Sequence, residues 1–275
     1  MTEVRIGAVS YLNARPLVHG LQSNAEYSLC FDTPGVLSEK LRLGEIDVGL
    51  IPIVEFLRGV GESILPGICI ASNGPVHTVK LYSKVTPEKL GRVAVDSGSR
   101  TSVALLRILL AERYGVTPDF HTFRPDLREM LRTHDAALLI GDAAFAGADV
   151  LQTWDLGAGW QELTSLPFVY AVWTLRPGLD VTRISSWLTS AMQSGVRHVD
   201  TIARDAAQSM GRDETMLRHY LGTSLHYTLG EREIHGIEAF QRLCLRYNMV
   251  SSARKLVLAG PVPAATTAAP VGHDK

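Results

Sequence analysis

Short apolar blocks alternate with longer stretches of mixed polarity along most of the chain, the pattern of sheet strands joined by helices. Val4 to Val9 predicts a buried strand, and Ala14-Arg15-Pro16-Leu17 predicts a helix after it with proline in the first turn. Tyr27 to Phe31 predicts a second strand. Thr33-Pro34 then supplies an N-cap and first-turn proline for a helix through Leu37 and Leu41, closed by Gly44, and Asp47 to Ile53 reads as a third strand. Strands apolar on both faces belong to a parallel sheet covered by helices.

A second unit begins at Thr78. Val79 to Tyr82, Arg92 to Asp96 and Ala136 to Ile140 predict strands, and Thr101 to Tyr114 predicts a helix that gathers Val103, Leu106, Leu109 and Leu110 on one face and stops at Gly115. Pro167 to Leu175 is apolar, β-branched and aromatic, long enough to pass between two sheets. After Asp180 the pattern is helical, with Ile184, Trp187, Leu188 and Ala191 on one face and Ile237, Phe240, Leu243 and Cys244 on another. Residues 260–275 lack periodicity and read as a disordered tail. The expectation is an α/β chain in two lobes. Residues 1–82 with 175–259 form a discontinuous first lobe carrying the C-terminal helices, and 83–174 form the second. Extended crossings near Tyr82 and through Val169 to Thr174 would be the hinges of a ligand cleft.

Composition narrows the partners. With 27 basic against 28 acidic residues there is no excess of positive charge to hold nucleic acid. Three scattered cysteines, Cys30, Cys69 and Cys244, argue against a disulfide framework and for a reducing compartment. No basic segment leading into an apolar core opens the chain, and no run of some 18 uncharged apolar residues occurs, so a cytoplasmic protein without a membrane span is expected. Oligomeric state leaves no mark on the sequence.

The common chemical signatures are missing: no GxxxxGK[ST], no GxSxG and no HExxH, while Gly59-Val60-Gly61 meets Ile64 where a dinucleotide fingerprint needs glycine. What remains are polar residues at strand ends, where open α/β sheets bind ligands. Ser10-Tyr11-Leu12-Asn13 follows the first strand; Asn13 offers both a donor and an acceptor, although a turn or N-cap asparagine is the plainer reading. Asp96-Ser97-Gly98-Ser99-Arg100-Thr101-Ser102 runs into a helix and has the makings of a carboxylate or phosphate cradle, with simple capping by Ser99, Thr101 or Ser102 as the alternative. Gly74-Pro75-Val76-His77-Thr78 and Ile140-Gly141-Asp142 occupy two further junctions.

Taken in order, Val9-Ser10-Tyr11-Leu12-Asn13-Ala14-Arg15-Pro16-Leu17, Gly44 to Pro52 (GEIDVGLIP), Gly74 to Thr78, Ser99 to Ser102, Ile140 to Asp142 and Leu166 to Ala171 (LPFVYA) span nearly the whole chain. This series resembles the chorismate dehydratases of the futalosine route to menaquinone. The resemblance implies a two-lobed fold like the type II periplasmic binding proteins, a cleft active site, and neither metal nor organic cofactor. It implies that Asn13 and Thr78 act at the substrate, the latter at a position where the family more often has serine. Ser10, Tyr11, Ser99, Arg100, Thr101, Ser102 and Asp142 are the residues expected to bind chorismate, with Arg100, Thr101 and Ser102 on its ring carboxylate. The base that takes the ring proton is open among a substrate carboxylate, Asp142 and Glu55. The competing reading is a solute-binding protein for a small carboxylate that performs no chemistry.

Overall fold

The computed structural model describes residues 3–145, 150 and 152–261. The expected tail lies outside them from residue 262 onward. In chain order the strands are β1 (Val4–Val9), β2 (Tyr27–Asp32), β3 (Val48–Pro52), β4 (Ser63–Ser72), β5 (Val79–Ser83), β6 (Arg92–Asp96), β7 (Asp119–Phe123), β8 (Ala136–Ile140), β9 (Gln152–Asp155) and β10 (Phe168–Leu175). The α-helices are α1 (Pro34–Leu43), α2 (Ile53–Leu57), α3 (Thr101–Tyr114), α4 (Leu127–Thr133), α5 (Leu156–Thr164), α6 (Val181–Arg197), α7 (Val199–Met210), α8 (Glu214–His219) and α9 (Glu231–Arg246). Among the described residues no helix is long and apolar enough to cross a membrane.

The strands form two sheets built on one plan, β2-β1-β3-β10-β4 and β7-β6-β8-β5-β9. In each, three neighbouring strands are parallel and the fourth runs against both its neighbours: β10 in the first sheet, β5 in the second. The sheets are therefore mixed, where the apolar runs alone had suggested parallel ones. The reversed strand has a simple origin. β5 and β10 are the strands on which the chain arrives from the other sheet. A chain that crosses at the ends of the parallel strands can only run back down the sheet it enters.

Two boundaries differ from the sequence expectation for the same reason. Val79–Ser83 already pairs with the second sheet and Phe168–Leu175 lies wholly in the first, so the crossings are at 73–78 and 156–167 rather than at Tyr82 and Val169 to Thr174. The long apolar run is a central strand, buried at seven of its eight positions, and α5 with its following turn makes the second crossing. The segment after β1 is a 3₁₀ helix, Leu12–Val18, with Pro16 inside it, and an extended His19 ends it.

The C-terminal helices fix that 3₁₀ segment in place. α6 turns Ile184, Leu188, Ala191 and Gly195 inward, and a Cβ on Gly195 would fall 2.0 Å from the Pro16 carbonyl oxygen. α9 makes the same close approach elsewhere: a Cβ on Gly236 would lie 2.3 Å from the Pro167 oxygen at the mouth of β10. Both positions are glycine because backbone, which cannot move aside as a flexible side chain can, occupies the space.

Gly195→Ala tests this packing cleanly, since intrinsic helix propensity favours alanine by up to about 1 kcal/mol. Overpacking against backbone costs about 1–3 kcal/mol, so thermal melting should show Tm lowered by several degrees. An unchanged or raised Tm would mean that α6 does not press on the 3₁₀ segment.

Candidate active site in the cleft

The turns that follow β1, β2, β3, β6 and β8 open onto one cavity, which brings several helix N-termini to bear on the same space. Val9, Tyr11 and Asn13 come from the first of these turns, Pro34 from the start of α1, and Pro52 from the end of β3. Gly98, Thr101 and Ser102 come from the start of α3, and Ile140 with Gly141 from the end of β8. The floor and far wall are Ile70, the crossing residues Val76, Thr78 and Val79, the β10 residues Tyr170 and Ala171, and Leu225. No charged side chain is among these. Helix N-termini carry partial positive charge and free N–H groups, so an anion is favoured here without a lysine or arginine in the wall.

Asn13 and Thr78, both in the wall of this cavity, are linked through a third residue. Thr78 is 1% exposed, and its Oγ1 lies 2.8 Å from the hydroxyl of Tyr220. The Asn13 side chain interacts with the same phenol, and both Thr78 and Asn13 draw its pKa down although burial pushes it up overall. Asn13 Oδ1 is left buried with no partner among the described residues. The asparagine caps nothing: the N-cap of the 3₁₀ segment is Tyr11, without a side-chain hydrogen bond. Tyr11 reaches across to the second sheet, where a Cβ on Gly98 would lie 2.8 Å from its hydroxyl and one on Gly141 3.1 Å from its ring. Burial, with Asp96 and Asp142 nearby, pushes the Tyr11 phenol up to about 12.

The other expected residues divide. Ser102 lines the cavity. Thr101 lines it too, but its hydroxyl donates to the Tyr170 carbonyl at 3.2 Å and accepts from the Val54 amide at 3.4 Å, stitching α3 to β10 and α2. Neither residue, nor Ser99, caps α3, whose N-cap is Arg100 without a side-chain bond. Ser10 is exposed and outside the lining; Ser99 is buried and also outside it. Arg100 stays out of the cavity and lays its guanidinium over Gly35, beside the lining residue Pro34, which places it at the rim. Asp142 sits one residue behind Gly141, where Oδ1 accepts from the Leu12 amide at 3.1 Å and burial raises its pKa. Glu55 is turned away into an ion pair with Arg58 at 2.8 Å.

The sequence reading missed Tyr220 and Asp155, and it contained Tyr170 only within a motif, without a role in the site. Tyr220 belongs to a five-residue π turn, Tyr220–Ser224, closed by a bond from the Leu225 amide back to its carbonyl, a feature that concentrates at functional sites but has no sequence signature. Asp155 ends β9 and caps α5, its carboxylate accepting from the Gly157 and Ala158 amides. The same carboxylate accepts from Val76 at 3.0 and 3.1 Å and from His77 at 2.6 Å. His77 has φ +66°, a left-handed conformation costly for a side chain of its size. The clamp holds it there, one residue before Thr78. An Asp followed by Leu-Gly-Ala-Gly is a legible N-cap, but nothing local announces its second task.

A family described as menaquinone biosynthesis matches residues 4–246. A chorismate dehydratase of Thermus thermophilus is 30% identical over 255 residues, covering 86% of this chain and 93% of that protein. One of Campylobacter jejuni is 24% identical over 241 residues, 87% of this chain and 92% of its own. Among solved structures, a structural-genomics protein of Archaeoglobus fulgidus superposes with a TM-score of 0.70 at 16% identity, covering 90% of this chain and 98% of its own. The periplasmic aliphatic sulphonate-binding protein SsuA of Escherichia coli gives 0.62 at 18% identity, covering 92% and 95%. The fold is that of the periplasmic binding proteins.

Removing the clamp should disturb the site as well as stability. Asp155→Ala loses an N-cap, about 0.5–2 kcal/mol, and frees His77 to leave its strained conformation. Ligand turnover in this variant should fall at least tenfold beyond what the shift in Tm explains, with Asp155→Asn, which keeps one acceptor oxygen, in between. Activity that merely follows the melting curve would limit Asp155 to capping.

Proposed function

The chain belongs to the menaquinone-biosynthesis family, and we propose that within it the protein is a chorismate dehydratase, a carbon–oxygen lyase that removes water from chorismate to give 3-[(1-carboxyvinyl)oxy]benzoate. The observation that carries this reading is the pair at the cavity wall. Thr78 presents a hydroxyl and Asn13 an unpartnered acceptor oxygen, and one donor beside one acceptor is the complement of a substrate hydroxyl group. Chorismate carries such a hydroxyl next to the ring carbon that loses its proton.

In the elimination the ring C–H bond breaks, its electron pair becomes the new ring π bond, and the neighbouring C–O bond breaks as hydroxide takes up a proton to leave as water. The ring becomes aromatic, which drives the reaction. Thr78 donates a hydrogen bond to the departing oxygen as charge develops on it, and Asn13 fixes the direction of the bond that breaks. The ring carboxylate, conjugated with the acidic C–H, lies at the start of α3, where Ser102 and the first amides of the helix meet it. Arg100 stands at the rim with no carboxylate partner among the described residues, and it draws the dicarboxylate in.

Asp142, Glu55 and a substrate carboxylate compete as the base. Among the described residues no carboxylate or imidazole lines the cavity, so the reading favours the substrate's own carboxylate. The cavity offers about 70 Å³ of space, roughly half of a ~150 Å³ cavity that accommodates benzene. The cavity must therefore widen to admit the substrate.

The test is loss of the diene absorbance when the protein meets chorismate; binding without turnover would favour the solute-binding alternative. Asn13→Ala should lower kcat and kcat/KM together by about a hundredfold, the scale for one oriented group at the reacting bond. A defect confined to KM would make Asn13 a binding residue only.

Asp142→Asn decides the base. It keeps the acceptor for the Leu12 amide and should leave kcat within about tenfold, whereas loss of a true general base costs about 10²–10⁴. Stability supplies a second signature. A carboxyl whose folded pKa is raised destabilises the fold when ionised, and that cost disappears as pH falls through the folded value. Asp142→Asn should therefore match or exceed the parent Tm at neutral pH and lose that advantage on acidification.

A further inference from the structure

We infer that Tyr220 is a positioning residue that sets the hydrogen-bond polarity of the Asn13–Thr78 pair, so that the pair offers one donor and one acceptor to a ligand hydroxyl. The inference rests on the dehydratase reading for its chemistry but not for its geometry. Tyr220 is 1% exposed and does not line the cavity; it stands behind both residues that do. Its oxygen meets Thr78 Oγ1 at 2.8 Å and takes the Asn13 interaction on the same atom.

With the Asn13 amide nitrogen toward the phenol, one arrangement of protons satisfies all three groups at once. The Asn13 amide nitrogen has protons and no lone pair to offer, so it donates to the phenol oxygen. The phenol then has its single O–H to give, and Thr78 Oγ1 is the acceptor within reach. Thr78, having accepted, keeps its own O–H for the cavity. Asn13, having used its nitrogen on Tyr220, keeps Oδ1 for the cavity, and that is the atom found buried and unpartnered. Were Thr78 to donate to Tyr220 instead, the cavity would face two acceptors and no donor for a leaving oxygen.

The ring is held for this task. Phe145 packs edge-on at 5.3 Å between centroids, and the π turn joins Tyr220 to a segment in which the His226 and Tyr227 backbones bond to β4 at Ala71 and Cys69. Burial raises the phenol's pKa, so it keeps its proton at neutral pH.

Tyr220→Phe removes one oxygen and leaves the ring packing. The expected result is kcat lowered about tenfold to hundredfold, KM within about threefold, and circular dichroism and Tm close to the parent. In a Thr78→Val background, where no hydroxyl remains to be oriented, the same Tyr220→Phe change should cost less than about threefold more. Equal costs in both backgrounds, or a defect wholly in KM, would overturn the positioning role. One readout needs no substrate. In the ligand-free protein the Tyr220 hydroxyl proton should be protected from exchange and show a nuclear Overhauser effect to the Thr78 methyl, lost in Thr78→Val. Absence of that proton would overturn the inference even with chorismate turned over normally. Its presence in a protein inert toward chorismate would sustain the geometry while the dehydratase reading fell.

Discussion

One carboxylate, that of Asp155, joins the two sheets' geometry to the cavity between them. It is the N-cap of the helix by which the chain leaves the second sheet and the acceptor for two consecutive amides in the loop by which the chain enters it. Such a loop would otherwise carry unsatisfied N–H groups and a histidine with φ +66°, and backbone strain of this kind persists only where surrounding structure over-determines it. Thr78 follows directly. Its carbonyl receives the Gly141 amide at 2.9 Å, so the same short segment is tied to α5 on one side and to the end of β8 on the other. Gly157 completes the junction, because a Cβ there would lie 2.4 Å from the Gly74 oxygen and 2.8 Å from the hydroxyls of Ser72 and Tyr170.

The clamp brings several strand-to-helix turns to face one another, and the electrostatics of the site follow from that. A wall without charged side chains still attracts an anion when helix N-termini point into it, and it does so without the desolvation penalty of a buried arginine. The two nearest acids, Asp96 and Asp142, are held back from the cavity by backbone amides of Gly98, Ile140 and Leu12, and burial raises the pKa of each. They support the turns. Neither lines the cavity.

Much of this was legible in the chain. β1, β6, β8 and α3 fall where apolar periodicity and the closing Gly115 predict them. Asn13, Thr78, Thr101 and Ser102 do meet at one cavity. What periodicity could not give was direction. An apolar run such as Phe168 to Leu175 states that a strand is buried, but whether it spans two sheets or lies central in one depends on hydrogen bonds made with Gly49–Pro52 and Ser63–Ser72, far away in sequence. β7 was missed for the opposite reason: Asp119, Phe120, His121, Thr122 and Phe123 form an edge strand with no buried position. Arg100 was read as part of a cradle by adjacency to Thr101 and Ser102. At the start of a helix neighbouring side chains leave in different directions, and its guanidinium goes outward to Gly35.

The C-terminal segment bears on whether this site catalyses or only recognises its ligand. A receptor for a hydroxylated acid can read a hydroxyl group with any freely rotating serine or threonine, since the proton turns to whichever partner is present. Here the buried threonine hydroxyl is backed by a buried phenol that in turn meets an amide, and the phenol arrives on a π turn more than 140 residues later in the chain. Fixing one proton in one direction adds little to ground-state affinity. Its value appears when negative charge develops on the oxygen that the proton faces, because a donor already oriented has no reorganisation left to perform. If Tyr220 fixes the Thr78 proton in this way, the site is matched to a bond in the course of breaking.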